Sequence, residues 1–242
     1  FGWNTSTALY DPASRTFTEG GDLSAARTLH TATWLESGKV LVVGGYATPS
    51  PPSNAELHEP LADAFSPAAV MVQAHREHTA TLLQDGRVLV AAGESFGVAE
   101  LYDPADGMFE RTGNPVYARS WGTATLLVNG DVLLVGGYGW SAADTTWRVL
   151  ATAEVFDPVA GEFSETGTLA FARSRHVAAP LLDGRILVVG GMSADGVYLA
   201  SAEIYDPGTA SFTVTGGLTS ARTGDTATPL PNGKVLIAGG IN

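Results

Sequence analysis

The chain has 242 residues, of which 45% are hydrophobic, 16% are charged and 29 are glycine, so it is apolar enough to bury a sizeable core and too apolar to stay disordered. No apolar run approaches the roughly 18–20 residues of a membrane-spanning helix, and without a cysteine there are no disulfides, thiolate metal sites or cysteine nucleophiles. A net charge of −12, with two lysines (Lys39, Lys234) among thirteen basic residues, argues against nucleic acid and anionic membranes as partners.

Read in chain order, one unit returns five times. It opens as ALYDPASRTF (8–17) and recurs as ELHEPLADAF (56–65), ELYDPADGMF (100–109), EVFDPVAGEF (154–163) and EIYDPGTASF (203–212). From the aromatic of each unit (Phe17, Phe65, Phe109, Phe163, Phe212), 28 residues lead without a gap to the second residue of a small pair: Gly45, Gly93, Gly137, Gly191 or Gly240. Repeats of this length point to a repeat architecture in which each unit stacks on its neighbours.

Each unit parses into four strands. Strand a alternates, as in HTATWL, and a tight turn at Ser-Gly, Asp-Gly or Asn-Gly leads into the dense apolar strand b, KVLVVGG. Strand c, AELYDP, turns at Asp-Pro into strand d, built around the Phe. Strand b is apolar at consecutive positions, which predicts burial on both faces. Strand a carries Pro180 and Pro229, which suits a free edge, here the edge that would line a central channel.

The Arg at the head of strand a, the Gly-Gly closing strand b, the Tyr-Asp-Pro of strand c and the aromatic of strand d together resemble the kelch motif over essentially the whole chain. The resemblance implies an all-β, five-bladed kelch-type β-propeller with four-stranded antiparallel blades, as a single domain over 1–242. The blades would cover approximately 26–66, 74–110, 118–164 and 172–213, with a closing blade made of 221–242 plus 1–18. The ring closes if N-terminal strands c–d pair with C-terminal strands a–b; a piece of a larger ring, or a ring shared by two chains, is the alternative, with a monomer favoured over a dimer. The divergent second repeat, with His58-Glu59-Pro60, His75 and Ala92-Gly93, predicts a less regular blade.

Length variation falls in the b–c loops: YATPSPPSN, ESFGV, YGWSAADTTWRVLAT and MSADGVYLAS. In a propeller these share a face with the heads of strand a, and insertions confined to one face often mark the binding side. On that face stand Arg27, Arg119, Arg173 and Arg222, with His75 in the second repeat. They would bind carboxylates or sulfates through forked hydrogen bonds, or instead tie the repeat together through backbone carbonyls and acidic side chains. Three residues further on come His30, His78, Gly122, His176 and Asp225. Three imidazoles and a carboxylate converging on a channel would hold a divalent metal ion, or serve packing and hydration. Trp121 stands beside the gap at Gly122, and the longest loop carries Tyr138, Trp140 and Trp147, a stacking platform or a plug over the rim.

No Ser-His-Asp spacing, phosphate-binding glycine loop or paired carboxylate motif appears, and the Asp-Pro aspartates read as turn residues. Some kelch propellers are copper-radical oxidases that need a cysteine, which this chain lacks. The reading is a non-catalytic binding or interaction module, with no cofactor expected beyond a divalent ion in the channel, and with a protein, carbohydrate or small acidic ligand as partner. The alternatives are an enzyme acting on a sugar acid, a metal-assisted lyase, or a structural subunit of a surface assembly. Scarce lysine and abundant Gly, Ala and Thr suit a bacterial protein that is secreted, periplasmic or at the cell surface.

Overall fold

The computed structural model describes residues 4–47, 52–93, 97–141 and 146–242; parts of three b–c loops (48–51, 94–96, 142–145) and residues 1–3 of the closing connection lie outside the described residues. All its regular elements are strands. β1 (Thr7–Asp11) and β2 (Thr16–Gly20) form a two-stranded sheet. β3 (Thr31–Trp34), β4 (Val40–Val43), β5 (Asn54–Glu59) and β6 (Ala64–Val70) form a four-stranded antiparallel sheet in that order. A second follows, β7 (His78–Leu82), β8 (Val88–Ala92), β9 (Glu100–Asp103) and β10 (Met108–Arg111).

β11 (Tyr117–Ser120) then precedes a third sheet, whose β12 (Thr123–Leu126) and β13 (Val132–Val135) are separated from β16 (Thr152–Asp157) and β17 (Glu162–Thr168) by the hairpin β14 (Tyr138–Ser141) and β15 (Arg148–Val149). The fourth sheet is β18 (Val177–Pro180), β19 (Ile186–Val189), β20 (Ala202–Asp206) and β21 (Ser211–Thr215). β22 (Thr223–Pro229) and β23 (Val235–Ile241) end the chain as a two-stranded sheet. Strand a lies at an edge of every four-stranded sheet, and Pro180 closes β18 where no ladder partner lies beyond it.

Local chemistry explains these elements. The a–b turns place Gly38, Gly86, Gly130, Gly184 and Gly233 at positive φ, between +81° and +95°, where a side chain would be strained. At each Asp-Pro turn the carboxylate accepts the backbone N–H two residues on, at 2.8 Å for Asp11, Asp103, Asp157 and Asp206. These aspartates are thus committed to their turns. The strand c aromatic stacks on the strand d Phe in every repeat, with ring centroids 4.7–5.0 Å apart.

The chain divides into two compact units, Phe1–Ala91 with Glu100–Arg111, and Ala92–Ala99 with Thr112–Asn242. In the first, Leu41 and Val43 of β4 pack with Val88 and Val90 of β8, and with Leu35 and Tyr102. In the second, Leu133 and Val135 of β13 pack with Ile186, Val188 and Tyr205 of the next sheet. One alternating set of residues in each of these b strands is thus buried against a neighbouring sheet, and the intervening residues are apolar as well.

Two expectations are corrected. The divergent second repeat spans two sheets that are no less regular than the others, the bulge at Asn54/Glu56 matching the one at Thr152/Glu154 in the third sheet, because each substitution performs the original task. His58 stacks on Phe65 as a tyrosine would and bonds Asp63 at 3.1 Å, His75 bonds a glutamate as the Arg does elsewhere, and Ala92 adopts the glycine-like φ of +65°. The long b–c segment is a β-ribbon, in which β14 pairs with both β11 and β15 around Gly139. A side chain at Gly139 would collide with the Ala118 carbonyl, so only glycine permits the three-stranded packing.

Candidate functional site

The arginine heads are committed within their own sheets. Arg27 donates from Nη1 to the carbonyls of Gly44 and Asn54, and from Nη2 to Glu56 Oε1 at 2.6 Å. Arg173 repeats this with Gly190 and Ser201, and with Glu203 at 2.8 Å; Arg119 does so with Gly136 and Thr152, and with Glu154. His75 Nε2 meets Glu100 Oε1 at 3.0 Å. Arg119 is 1% exposed and Arg173 fully buried. Burial pushes both guanidiniums down from their ordinary basicity, and the paired glutamates oppose that shift. Arg27, Arg119 and Arg173, expected on a ligand face, are instead buried against their own glutamates: a charge desolvated this completely persists because an ion pair inside the fold compensates it, even though the Nε of each has no acceptor.

The glutamates do more than neutralise. Glu154 accepts the N–H groups of Val116 (2.7 Å) and Tyr117 (3.2 Å), just ahead of Arg119, while Glu203 accepts those of Ala170 and Phe171, and Glu100 those of Val72 and Gln73. Each carboxylate thus binds an incoming d–a connection to an arginine or histidine head. The sequence reading missed this partner. Its signal was the Glu that opens ELHEP, ELYDP, EVFDP and EIYDP, where the first copy has Ala8. Arg222 keeps the bond from Nη1 to Gly239 O at 3.1 Å, but among the described residues it has no ion pair; its Nε lacks an acceptor, as does that of Arg27, Arg119 and Arg173.

Successive repeats are joined at the same end. The N–H of the second residue in each small pair donates to the carbonyl of the next head: Gly45 to His75, Gly93 to Arg119, Gly137 to Arg173 and Gly191 to Arg222, at 2.6–2.9 Å. His78 Nε2 bonds Thr31 Oγ1, and His176 Nε2 bonds Thr123 Oγ1, both at 3.0 Å and both across to the preceding repeat. Burial pushes both imidazoles down to about 3. His30 is more exposed, and its basicity is lowered first by burial and then by Arg27. Among the described residues no three His, Asp or Glu side chains form a metal-ligating group. His78 and His176 spend Nε2 on threonine, while Nδ1 of each is buried without a partner.

Asp225 occupies the histidine position of the last repeat, and both carboxylate oxygens are buried without a partner. The residue equivalent to Thr31 and Thr123 is here Val177, which has no hydroxyl to offer. Burial pushes the Asp225 carboxyl above its usual range, against its own backbone amide and Arg222.

In the second unit the aromatics gather at the strand a heads. Tyr138 and Trp147 stack with centroids 5.7 Å apart and planes 24° apart, and are 42% and 39% exposed. Trp140 is half-buried on the same ribbon. Trp121 adopts a left-handed φ of +59°, and the exposed Arg175 lies over its ring at 4.2 Å. The Arg175 N–H donates to the Trp121 carbonyl, and the Arg175 carbonyl accepts from Gly224 N–H and Thr223 Oγ1, fixing three successive heads in backbone register.

Sheets of one strand order, joined head to carbonyl and stapled by a buried arginine–glutamate pair, define a β-repeat protein whose units are blade-like. Residues 173–218 match the family model of the kelch motif, a segment that begins at Arg173 and runs through β21. That segment is similar to one kelch motif; its strand order recurs in the other four-stranded sheets, and its arginine–glutamate staple in two of them. No curated protein matches it.

Proposed function

We propose that the chain is a non-catalytic binding module whose partner docks on the strand a heads and b–c segments. The observation that carries this is the Tyr138–Trp147 pair, two large rings held parallel on a ribbon and left about two-fifths exposed. Aromatics of this size are normally buried, and a rigid exposed pair offers contact area at little entropic cost. Kelch repeats generally mediate protein or ligand binding, and the Trp121–Arg175 stack extends the same surface with a cation. A random peptide library panned on the whole chain tests the reading. Binders should lose at least about tenfold in affinity against a Tyr138→Ala/Trp147→Ala double variant, and binders that hold the variant equally well would sink it.

The same proposal includes a closed five-bladed ring. The ladder of β13 and β16 sets Val132 against Phe156, Leu133 against Val155 and Leu134 against Glu154. Carried to the termini, this register sets Val235 against Tyr10, Leu236 against Leu9 and Ile237 against Ala8. Supporting it, Leu236 is 53% and Tyr10 54% exposed, whereas their counterparts Leu133 and Tyr102 are 0% and 1%. In the first unit a cavity of about 220 Å³ opens over Val40 and Val42, the strand b face not used against β8.

A further inference from the structure

Four repeats build the same receptor for a carboxylate, and the fifth builds it without one. In three of them the receptor has three donors: the N–H groups three and two residues ahead of the head, and the head side chain itself. Glu203 is held by Ala170 N–H (2.7 Å), Phe171 N–H (3.2 Å) and Arg173 Nη2 (2.8 Å). Glu154 and Glu100 are held in the same way ahead of Arg119 and His75, and Glu56 takes Ser24 N–H at 2.7 Å with Arg27 Nη2. In the last repeat the corresponding donors are Thr219 N–H, Ser220 N–H and Arg222.

All three donors remain available. Among the described residues, neither Thr219 N–H nor Ser220 N–H has an acceptor in the backbone or side-chain network. Arg222 is anchored in the family orientation by Nη1 to Gly239 O, as Arg173 is by Nη1 to Gly190 O. Among the described residues its Nη2 has no acceptor. The copy that should supply the acid reads ALYDP, with Ala8 at the glutamate position.

We propose that Thr219 N–H, Ser220 N–H and Arg222 Nη2 form a binding site for the carboxylate of an acid that is not part of this repeat. Two backbone donors and a cation are the set that charge-assisted recognition of a carboxylate uses, and the chain itself satisfies that set with glutamate elsewhere. The size of the ligand follows from the deletion. Alanine keeps the glutamate Cβ, so the missing atoms are a methylene and a carboxylate, which is the framework of acetate. An acid on a short unbranched arm fits, whether free or carried on an acidic side chain. Asp225 acts electrostatically on the same guanidinium, which limits the affinity without filling the site.

The inference deepens the binding reading; the three donors stand without ring closure, while the size of the ligand and the Ala8→Glu arm rest on it. The test is amide-resolved NMR of the whole chain titrated with sodium acetate, with sodium chloride as control, and with a blocked Gly-Glu-Gly peptide as the side-chain form of the same acid. Saturable downfield shifts of the Thr219 and Ser220 amides with acetate or the peptide, absent with chloride, are expected, and the tighter of the two tells a free acid from a side chain. Arg222→Gln should weaken the response at least about tenfold. Because the titration reads the unaltered chain, it stands even if that variant folds poorly. Unmoved amides, or shifts matched by chloride, overturn the site. Ala8→Glu separates the two proposals: loss of acetate binding supports both, while acetate binding that persists in Ala8→Glu and disappears in Arg222→Gln keeps the site and removes closure.

Discussion

Arg173 and Arg222 hold the same place in consecutive repeats and make the same bond to a glycine carbonyl, yet their environments differ. Arg173 is fully buried, with a serine, a carbonyl and Glu203 around it, whereas Arg222 is half-buried and lacks a carboxylate. The difference lies in the sheet each belongs to. Arg173 heads four strands, and strand c delivers both Ser201 and Glu203; Arg222 heads two. A residue type that looks like a ligand-binding feature when read along the repeat is a staple wherever the sheet is complete, and it becomes available only where strand c brings no acid.

The sharpest way to break that comparison is to remove each arginine. Arg173→Ala leaves Glu203 buried without its ion-pair partner, and should cost about 3–5 kcal/mol, whereas Arg222→Ala breaks no ion pair, removes only a through-space attraction to Asp225, and should cost about 1 kcal/mol or less. Denaturant midpoints of the two variants measure this, and equal losses would show that Arg222 has a carboxylate after all. Next comes closure. The chain has no cysteine, so Leu9→Cys/Leu236→Cys places one pair directly opposite in the extrapolated register. An oxidised monomer that gains about 2–4 kcal/mol is the expected product. A disulfide-linked dimer would mean that strands pair between copies.

Acid provides a third, smaller test. Burial pushes the imidazoles of His78 and His176 down to about 3, against 6.5 for the free side chain. Their folded pKa lies below the unfolded one, so the unfolded chain binds more protons between those values. Stability is complete above about pH 6.5 and falls as the pH drops from there towards 3. Replacing either imidazole with glutamine, which keeps a polar contact to Thr31 or Thr123, should flatten that slope in urea melts taken across the window. A slope unchanged in both variants would mean these histidines are not buried neutral.

Much of this was legible in the chain, and for identifiable reasons. The period, the Asp-Gly and Asn-Gly turns and the double-sided strand b are local signals, and every four-stranded sheet follows them. The arginine–glutamate staple joins residues about thirty positions apart, so it shows only as co-occurrence within the repeat: Glu in four copies with a basic head behind each, and Ala8 in the fifth. The histidines misled in a different way. Their spacing shows that they share a level, but the hydroxyl that each Nε2 meets belongs to the preceding repeat, so Thr31 and Thr123 draw the rings of His78 and His176 sideways. The β14–β15 ribbon was hidden because its strands are short and its pairing depends on Gly139 passing close to Ala118, a contact that no alternation of polarity records.

The smallest effect tests that sideways contact directly. Val177 stands where Thr31 and Thr123 hydrogen-bond the next repeat's histidine, and Asp225 stands where that histidine would be. Val177→Thr gives the buried carboxylate a hydroxyl donor at nearly constant volume. One hydrogen bond to a charged group, set against the desolvation of the added hydroxyl, should yield about 1 kcal/mol, or a Tm rise of about 2–4 °C for a chain of this size. The pH dependence identifies the cause. Because burial holds the Asp225 carboxyl above its ordinary range, the ionised form carries a cost at neutral pH that disappears as the pH falls through the raised value. The added hydroxyl stabilises that ionised form, so the gain should be full at neutral pH and shrink as Asp225 takes up its proton. A gain independent of pH would come from packing alone, and a loss would mean that Val177 is held by its apolar neighbours more firmly than Asp225 needs a donor.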